Sequence, residues 1–204
     1  ILYLIFILLQ IIKMSNQIQA SIGILAGGKN SRLNGLKKWN LKINDLSLIE
    51  RSIKISKCFK KQYIVGKKEL EIKDVEFLKD KFEYSSPIIG LHSLLKSSKY
   101  KWNFLLACDL PFITDKIFRL IWNKKNENKL AIIPYSKDNI HYTCGYYNKK
   151  LLFQIEKNIK IGKLSLKNLL SDEDIILVKS NKEDFFNLNS FDDLKKFEKK
   201  LNII

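Results

Sequence analysis

The chain has 204 residues, 46% of them apolar, which is enough to bury one substantial core and predicts a single domain. Its net charge of +16 does not identify a nucleic-acid-binding protein, because almost all the basic residues are lysines spread along the whole chain, without an aromatic platform. Three widely separated cysteines argue against a disulfide framework and a zinc site, and they predict a reducing compartment, the cytoplasm.

The N-terminal stretch is strongly apolar. Residues 1–12 read ILYLIFILLQII and are followed by Lys13 and Met14. This run is shorter than the roughly 20 residues that a membrane-spanning helix needs, and it lacks the basic start and small-residue cleavage site of a signal peptide. We therefore expect residues 1–13 to be an extension that is not part of the native protein, and residues 14–204 to be the domain, with no membrane partner. An unusual membrane anchor is the alternative interpretation.

From Ser21 onward, short apolar runs alternate with segments of helical spacing. In chain order the pattern predicts strand 21–26, helix 46–58, strands 62–65 and 75–78, helix 89–95, strand 102–107, helix 114–124, strands 130–134 and 142–147, helix 149–158, strand 175–178 and helix 190–201. Strands separated by helices of this length are typical of an α/β fold with a doubly wound, mostly parallel sheet, as in Rossmann-like proteins.

The first predicted strand ends in a basic glycine loop. Gly27 and Gly28 follow the apolar run, and Arg32 and Lys38 come shortly after. Paired glycines let the backbone approach a phosphate, to which the two cations add positive charge. The dinucleotide pattern G-x-G-x-x-G and the Walker ending G-K-[ST] are both absent. An ordinary turn is the alternative interpretation.

The strand 102–107 ends in a carboxylate, Asp109, followed by Pro111. A carboxylate at this end of a strand can hold Mg²⁺, which takes one or two carboxylates and fills its remaining positions with water and substrate phosphates. An Asp that makes a turn to its own backbone is the alternative. Because both loops follow strands of one sheet, they are expected at one edge, where together they could neutralise a triphosphate.

Five segments, in order, resemble the molybdenum cofactor guanylyltransferases. The stretch L-A-G-G-K-N-S-R-L-N-G-L-K-K (25–38) is similar to the family's L-A-G-G-x-x-x-R-M-G-G-x-D-K, with the spacing from the glycines to Lys38 preserved. The other four are S-P-I-I-G (86–90), W-N-F-L-L-A-C-D-L-P (102–111), H-Y-T (141–143) and F-N-L-N-S followed by D-L (186–194). They extend from about Ile22 to Leu194.

The resemblance implies a Mg²⁺-dependent nucleotidyltransferase that transfers GMP from GTP to molybdopterin, the molybdenum cofactor, and releases pyrophosphate. It implies catalytic roles for Lys38 and Asp109, with Asp109 as the metal ligand and Asp80 as the carboxylate on the guanine side. The implied GTP-binding set is Leu25, Ala26, Gly27, Gly28, Arg32, Lys38, Asp80 and Asp109. Asp80 lies between two lysines, so a solvated loop charge is its alternative interpretation.

The acceptor side is implied by the C-terminal segment. Asn187 and Asn189 would orient the pterin, although both could equally be turn or helix-capping residues before the last helix. A monomer and a complex with other proteins of the cofactor pathway are both compatible with the sequence.

Several positions depart from the family pattern. They are Asn34 for a glycine, Lys37 for an aspartate, Gly66 for an asparagine that helps to hold the nucleotide, Ser86 and Ile89 for a glycine and an alanine, and Tyr142 for a proline. Two alternatives therefore stay open: a related enzyme that uses CTP or a sugar-phosphate acceptor, and a non-catalytic nucleotide-binding relative.

Overall fold

The computed structural model describes residues 17–27, 37–70, 72–82, 84–137, 139–188, 190, 192–193 and 195–197. The expected extension 1–13 lies outside these residues, as do Gly28, Arg32 and Asn189 from the predicted site. Within the described ranges, no helix is long and apolar enough to cross a membrane.

The apolar runs of the sequence form the strands of a central sheet. The strands of the fold are β1 (Ile18–Leu25), β2 (Lys42–Ile43), β3 (Leu46–Ser47), β4 (Phe59–Gly66), β5 (Glu76–Lys79), β6 (Trp102–Ala107), β7 (Ala131–Ser136), β8 (Asn139–Ile140), β9 (Cys144–Asn148) and β10 (Ile175–Lys179). The main sheet has the order β10-β7-β9-β6-β1-β4-β5, and β8 pairs with β7. Strand β1 is parallel to both of its neighbours, β4 and β6, whereas β9 is antiparallel to β6 and β7.

Helices cover both faces of this sheet. They are α1 (Leu48–Ile55), α2 (Pro87–Ser97), α3 (Asp115–Trp122) and α4 (Leu152–Lys160). Successive side chains of a strand point to opposite faces, and in β6 Phe104 and Leu106 pack in the cluster that includes Phe118 of α3, while Leu105 packs in the cluster that includes Leu94 of α2. The predicted fold class, a doubly wound and mostly parallel α/β sheet, is confirmed.

Some predicted elements begin or end at other residues than the observed ones, because local hydrogen bonds set the ends of helices and strands. The segment predicted as helix 46–58 begins only at Leu48, because residues 46–47 form β3 and Ser47 caps the helix through a reciprocal contact with Glu50. In the last predicted helix, residues 192–193 and 195–197 are helical within the described part of the chain. Short 3₁₀ segments occur at Lys38–Asn40, Ser56–Cys58, Lys149–Leu151, Lys167–Leu169, Asp172–Asp174 and Lys182–Phe185.

One glycine is required by the close approach of two strands. A Cβ atom at Gly145 of β9 would lie 2.9 Å from the main-chain oxygen of Ile132 in β7. Main-chain atoms of a buried strand cannot give way as a side-chain end can, so Gly145→Ala is expected to lower the free energy of unfolding by about 1–3 kcal/mol. Urea denaturation measures this loss.

The matched control is Gly66→Ala in β4, where the nearest atom to a new Cβ, the main-chain oxygen of Ala26, is 3.4 Å away. The control is expected to keep the parental stability within about 0.5 kcal/mol. Equal stability of the two variants would show that the contact with Ile132 is easily relieved.

Candidate active site

A cleft of about 480 Å³ opens at the carboxyl ends of β1, β4, β5 and β6. This is the edge at which parallel α/β sheets bind their ligands. Seven of the residues predicted from the sequence line it: Leu25, Ala26, Gly27, Lys38, Asp80, Asp109 and Asn187. The structure therefore brings together every predicted site residue that it describes.

The floor of the cleft is the end of β1. Leu25 is paired with Val65 of β4 and Ala107 of β6, and the N–H of Ala26 donates to the carbonyl of Val65 at 2.9 Å. Immediately beyond, a Cβ atom at Gly27 would meet no other described atom within 4 Å. Gly27 lines the cleft, and no described residue would crowd a phosphate that approached its main chain.

Asp109 lies two residues beyond the end of β6, and its side chain is 19% exposed. Its Oδ2 is 3.5 Å from the Nζ of Lys38, whereas its Oδ1 is buried and has no hydrogen-bond partner among the residues described. Burial raises the pKa of the Asp109 carboxyl, while the positive charge of Lys38 and its hydrogen bond lower it. The main-chain oxygen of Asp109 also accepts from the N–H of Leu188 at 3.0 Å, which ties the C-terminal segment to this loop.

Lys37 and Lys38 both line the cleft, but their side chains make different contacts. Lys38 reaches Asp109, whereas the Nζ of Lys37 lies 5.5 Å from the centroid of the Trp39 ring. The two neighbouring cations therefore have different surroundings. Lys38, which keeps the spacing of the guanylyltransferase motif, is the lysine that lies beside the Asp109 carboxylate.

Asp80 lies at the other side of the cleft, directly after β5. Its N–H donates to the carbonyl of Gly66 at 2.8 Å, and its Oδ1 accepts from the hydroxyl of Ser93 at 2.9 Å. Burial raises the pKa of Asp80, and the Ser93 hydrogen bond and the charges of Lys67 and His92 lower it. Asp80 is thus a partly buried, hydrogen-bonded carboxylate rather than the solvated loop charge of the alternative interpretation.

The structure adds cleft residues to which the sequence analysis assigned no role. They include Trp39, Lys67, Lys68, Ser85 and Thr143. Thr143 belongs to the H-Y-T segment, and its carbonyl accepts from the N–H of Ala107 at the end of β6 at 2.8 Å. The resemblance included this segment but did not predict which residues it contacts. Its position at the cleft follows from the sheet order, in which β9 lies beside β6.

A second cavity of about 360 Å³ shares Asn187 with the cleft. Its wall includes His141, whose Nε2 is 2.8 Å from the hydroxyl of Ser136 and whose ring stacks on Phe185 with 3.9 Å between centroids. Burial lowers the pKa of His141. Lys182 also lines this space, so it combines an aromatic surface with a cation and several hydrogen-bonding groups.

The family model for the MobA-like NTP transferase domain matches residues 22–176. This chain belongs to the MobA-like NTP transferase family. Curated relatives are similar over nearly the whole chain: a "Probable molybdenum cofactor guanylyltransferase" of Clostridium perfringens is 30% identical over 91% of this chain and 100% of its own length. A molybdenum cofactor guanylyltransferase of Campylobacter jejuni is 29% identical over 87% of this chain and 95% of its own length.

Among solved structures of MobA-like fold, the molybdopterin-guanine dinucleotide biosynthesis protein A of Archaeoglobus fulgidus has a TM-score of 0.76 and 22% identity, and it covers 90% of this chain and 100% of its own. At this identity the likeness shows the fold. The resemblance to the guanylyltransferases seen in the sequence is confirmed, as is the assignment of the chain as a nucleotidyltransferase.

Proposed function

We propose that this MobA-like enzyme transfers GMP from GTP to molybdopterin, forming the guanine dinucleotide cofactor and releasing pyrophosphate. The observation that carries the proposal is one cleft with the Lys38–Asp109 pair at the end of β6 and a second carboxylate, Asp80, at the end of β5. The names of the relatives agree with it. We place the enzyme in the cytoplasm, where Cys58, Cys108 and Cys144 would stay free as they are here.

The residues of the cleft fit a magnesium ion held mainly by its substrate. Among the described residues no group of three or more His, Cys, Asp or Glu side chains could form a cage for a metal. Asp109 offers a buried carboxylate oxygen, Oδ1, that no hydrogen bond of the described chain satisfies. Mg²⁺ suits this arrangement because it takes few carboxylates and completes its coordination with phosphate oxygens and water. When bound there, it would neutralise charge on the triphosphate.

The chemistry requires positioning and charge neutralisation rather than a covalent intermediate. A terminal phosphate oxygen of molybdopterin would form a bond to the α-phosphorus of GTP, while the bond from that phosphorus to the β-phosphate oxygen breaks and pyrophosphate leaves. Lys38 would hold the phosphates, and the main chain of Leu25, Ala26 and Gly27 would support the nucleotide. Gly28 and Arg32, outside the described residues, would complete the loop.

Asp80 is proposed to read the base. Guanine presents two adjacent donors, N1–H and the N2 amino group, and a carboxylate accepts both. Cytosine presents one amino donor beside an acceptor nitrogen. A carboxylate can accept from the amino group, but its second oxygen is repelled by the lone pair of that nitrogen. A buried group left without its partner is costly, so a site of this kind discriminates strongly between the two bases.

The acceptor is proposed to lie on the opposite side of the cleft from Asp80. Asn187 lines both the cleft and the second cavity, so it stands where the nucleotide site and a space for a second substrate meet. Asn187, together with Asn189 outside the described residues, would orient the pterin. His141, stacked on the buried ring of Phe185, lines that space.

The test is a transfer assay with molybdopterin, Mg²⁺ and GTP in competition with CTP. We expect the parent to prefer GTP by at least tenfold, and Asp80→Ala to lose most of that preference, because charge-assisted hydrogen bonds contribute about 1.5–3 kcal/mol. Glu76→Ala is the matched control, since Glu76 lies on β5, the strand that Asp80 follows, and pairs with Lys61 at 2.9 Å.

A parent enzyme that shows no preference for GTP would contradict the proposed function, and preferred transfer from CTP would establish the related cytidylyl enzyme. A preference that survives in Asp80→Ala would leave the function in place but remove Asp80 as the group that reads the base.

A further inference from the structure

Asp80 is held from two directions. Its main chain is tied to β4 through the carbonyl of Gly66, and its carboxylate is tied to α2 through Ser93. Helix α2 packs tightly against the sheet, and its residues Leu91, Leu94 and Leu95 are fully buried. At Gly90 it lies so close to β1 that a Cβ atom there would stand 2.3 Å from the Leu25 side chain. The hydroxyl that contacts Asp80 is therefore carried by a rigid part of the core.

This contact matters because an aspartate carboxylate has no sharp torsional preference of its own. Rotation of the carboxylate about its terminal torsion has a broad, roughly two-fold profile, so an external contact must set the plane of the two oxygens. Each carboxylate oxygen can accept two hydrogen bonds. Oδ1 of Asp80 can thus accept from Ser93 and still accept one N–H of a base, while Oδ2 accepts the other.

We propose that Ser93 is a positioning residue that fixes the plane of the Asp80 carboxylate for the paired N1–H and N2–H donors of guanine. The inference rests on the proposed function, because it assumes that Asp80 faces the base. Ser93 itself touches no substrate. Its removal leaves the carboxylate in the cleft but free to rotate, so the contact that depends most on alignment, the one to the N2 amino group, is weakened.

The test compares equilibrium binding of GTP and ITP, with Mg²⁺, to the full chain. ITP keeps N1–H but lacks the N2 amino group, so the ratio of the two affinities reports that contact alone. Ser93→Ala is expected to lower the preference for GTP over ITP roughly three- to tenfold, as for a weakened hydrogen bond. Ser93→Thr, which keeps the hydroxyl, is expected to restore it. Ser97→Ala, an exposed serine one turn further along α2, is the matched control.

A pH series separates positioning from a merely structural role. The groups that face Asp80 and lower its pKa are Ser93, Lys67 from the loop after β4, and His92 from α2. Removal of the Ser93 hydroxyl therefore raises the pKa of Asp80. GTP binding requires the ionised carboxylate and is lost as the pH falls through that pKa, so in Ser93→Ala the loss should begin at a higher pH than in the parent.

The outcomes distinguish the inference from the function on which it rests. If the parent prefers GTP to ITP and Ser93→Ala does so equally, Ser93 has no positioning role, while the proposed function stands. Equal weakening of GTP and ITP with an unmoved pH profile would also overturn the inference, since it indicates only a disturbed helix. A parent that does not distinguish the two nucleotides would overturn both. In an Asp80→Ala background, Ser93→Ala is expected to have no further effect on the ratio.

Discussion

Asp109→Asn is expected to give a folded protein that has lost about a thousandfold of its Mg²⁺-dependent turnover. The amide preserves the size of the side chain but removes the negative charge beside Lys38, and it leaves one neutral oxygen in place of the two carboxylate oxygens available to a metal. Loss of one charge-stabilising group in an active site commonly costs a factor of a hundred to a thousand in turnover. Steady-state assays over a range of Mg²⁺ concentrations measure the effect.

The matched control is Asp115→Asn, which neutralises a half-exposed aspartate at the start of α3 that pairs with Arg119. It is expected to retain parental activity. Turnover of Asp109→Asn within about threefold of the parent, roughly 0.6 kcal/mol in the barrier, would remove Asp109 from the catalytic machinery.

The same substitution should reveal a conflict between stability and function. Burial raises the folded-state pKa of Asp109 despite the opposing charge of Lys38. The folded state therefore holds this proton more tightly than the unfolded state, and the contribution of Asp109 to stability falls as the pH rises through its unfolded pKa. The asparagine of Asp109→Asn does not titrate, so the melting temperature of the variant should not show this decline with pH. Relative to the parent, the variant should therefore become more stable as the pH is raised from acidic to neutral. A buried carboxylate that lowers the stability of the fold at neutral pH is typical of functional sites, where pKa values are shifted to suit the chemistry.

The sheet could be predicted from sequence because its central strands are covered on both faces. The predicted strand 21–26, SIGILA, and the segment of β6, WNFLLA, are mostly apolar over consecutive positions, which is what burial on two sides requires. Residues 18–20, which extend β1 at its start, include the exposed Gln19 and were not predicted. The direction of β9 was not inferred. It runs antiparallel between β6 and β7, and this placement depends on contacts between segments distant in the chain rather than on local pattern.

The candidate site was predictable to the extent that its residues follow the strands of one sheet. Asp109 and Lys38 are 71 positions apart, yet both were placed at the carboxyl edge by the strands that precede them. Ser93 could not be found in this way. It lies in the middle of a helix with no polar motif around it, and only the packing of α2 against the sheet brings its hydroxyl to Asp80.

Lys38→Ala is expected to lower kcat/KM for GTP roughly ten- to hundredfold, the range for loss of a charge-assisted hydrogen bond, whereas Lys37→Ala should change it less than threefold. The two lysines are adjacent and carry the same charge, so any effect of the general electrostatic field is nearly the same for both. They differ in contact: Lys38 lies 3.5 Å from Asp109, while Lys37 lies over Trp39.

Two consequences of losing Lys38 should be separable. The phosphates lose a cation, and Asp109 loses the charge that lowers its pKa, so the pH at which activity falls on the acidic side should move upward in Lys38→Ala. Lys37→Ala should leave the profile in place. A measurement of kcat/KM against pH for both variants therefore tests contact rather than charge. Equal losses in the two variants, with equal pH profiles, would mean that the cleft attracts the triphosphate through a diffuse basic patch and that the Lys38–Asp109 pair has no special part in the transfer.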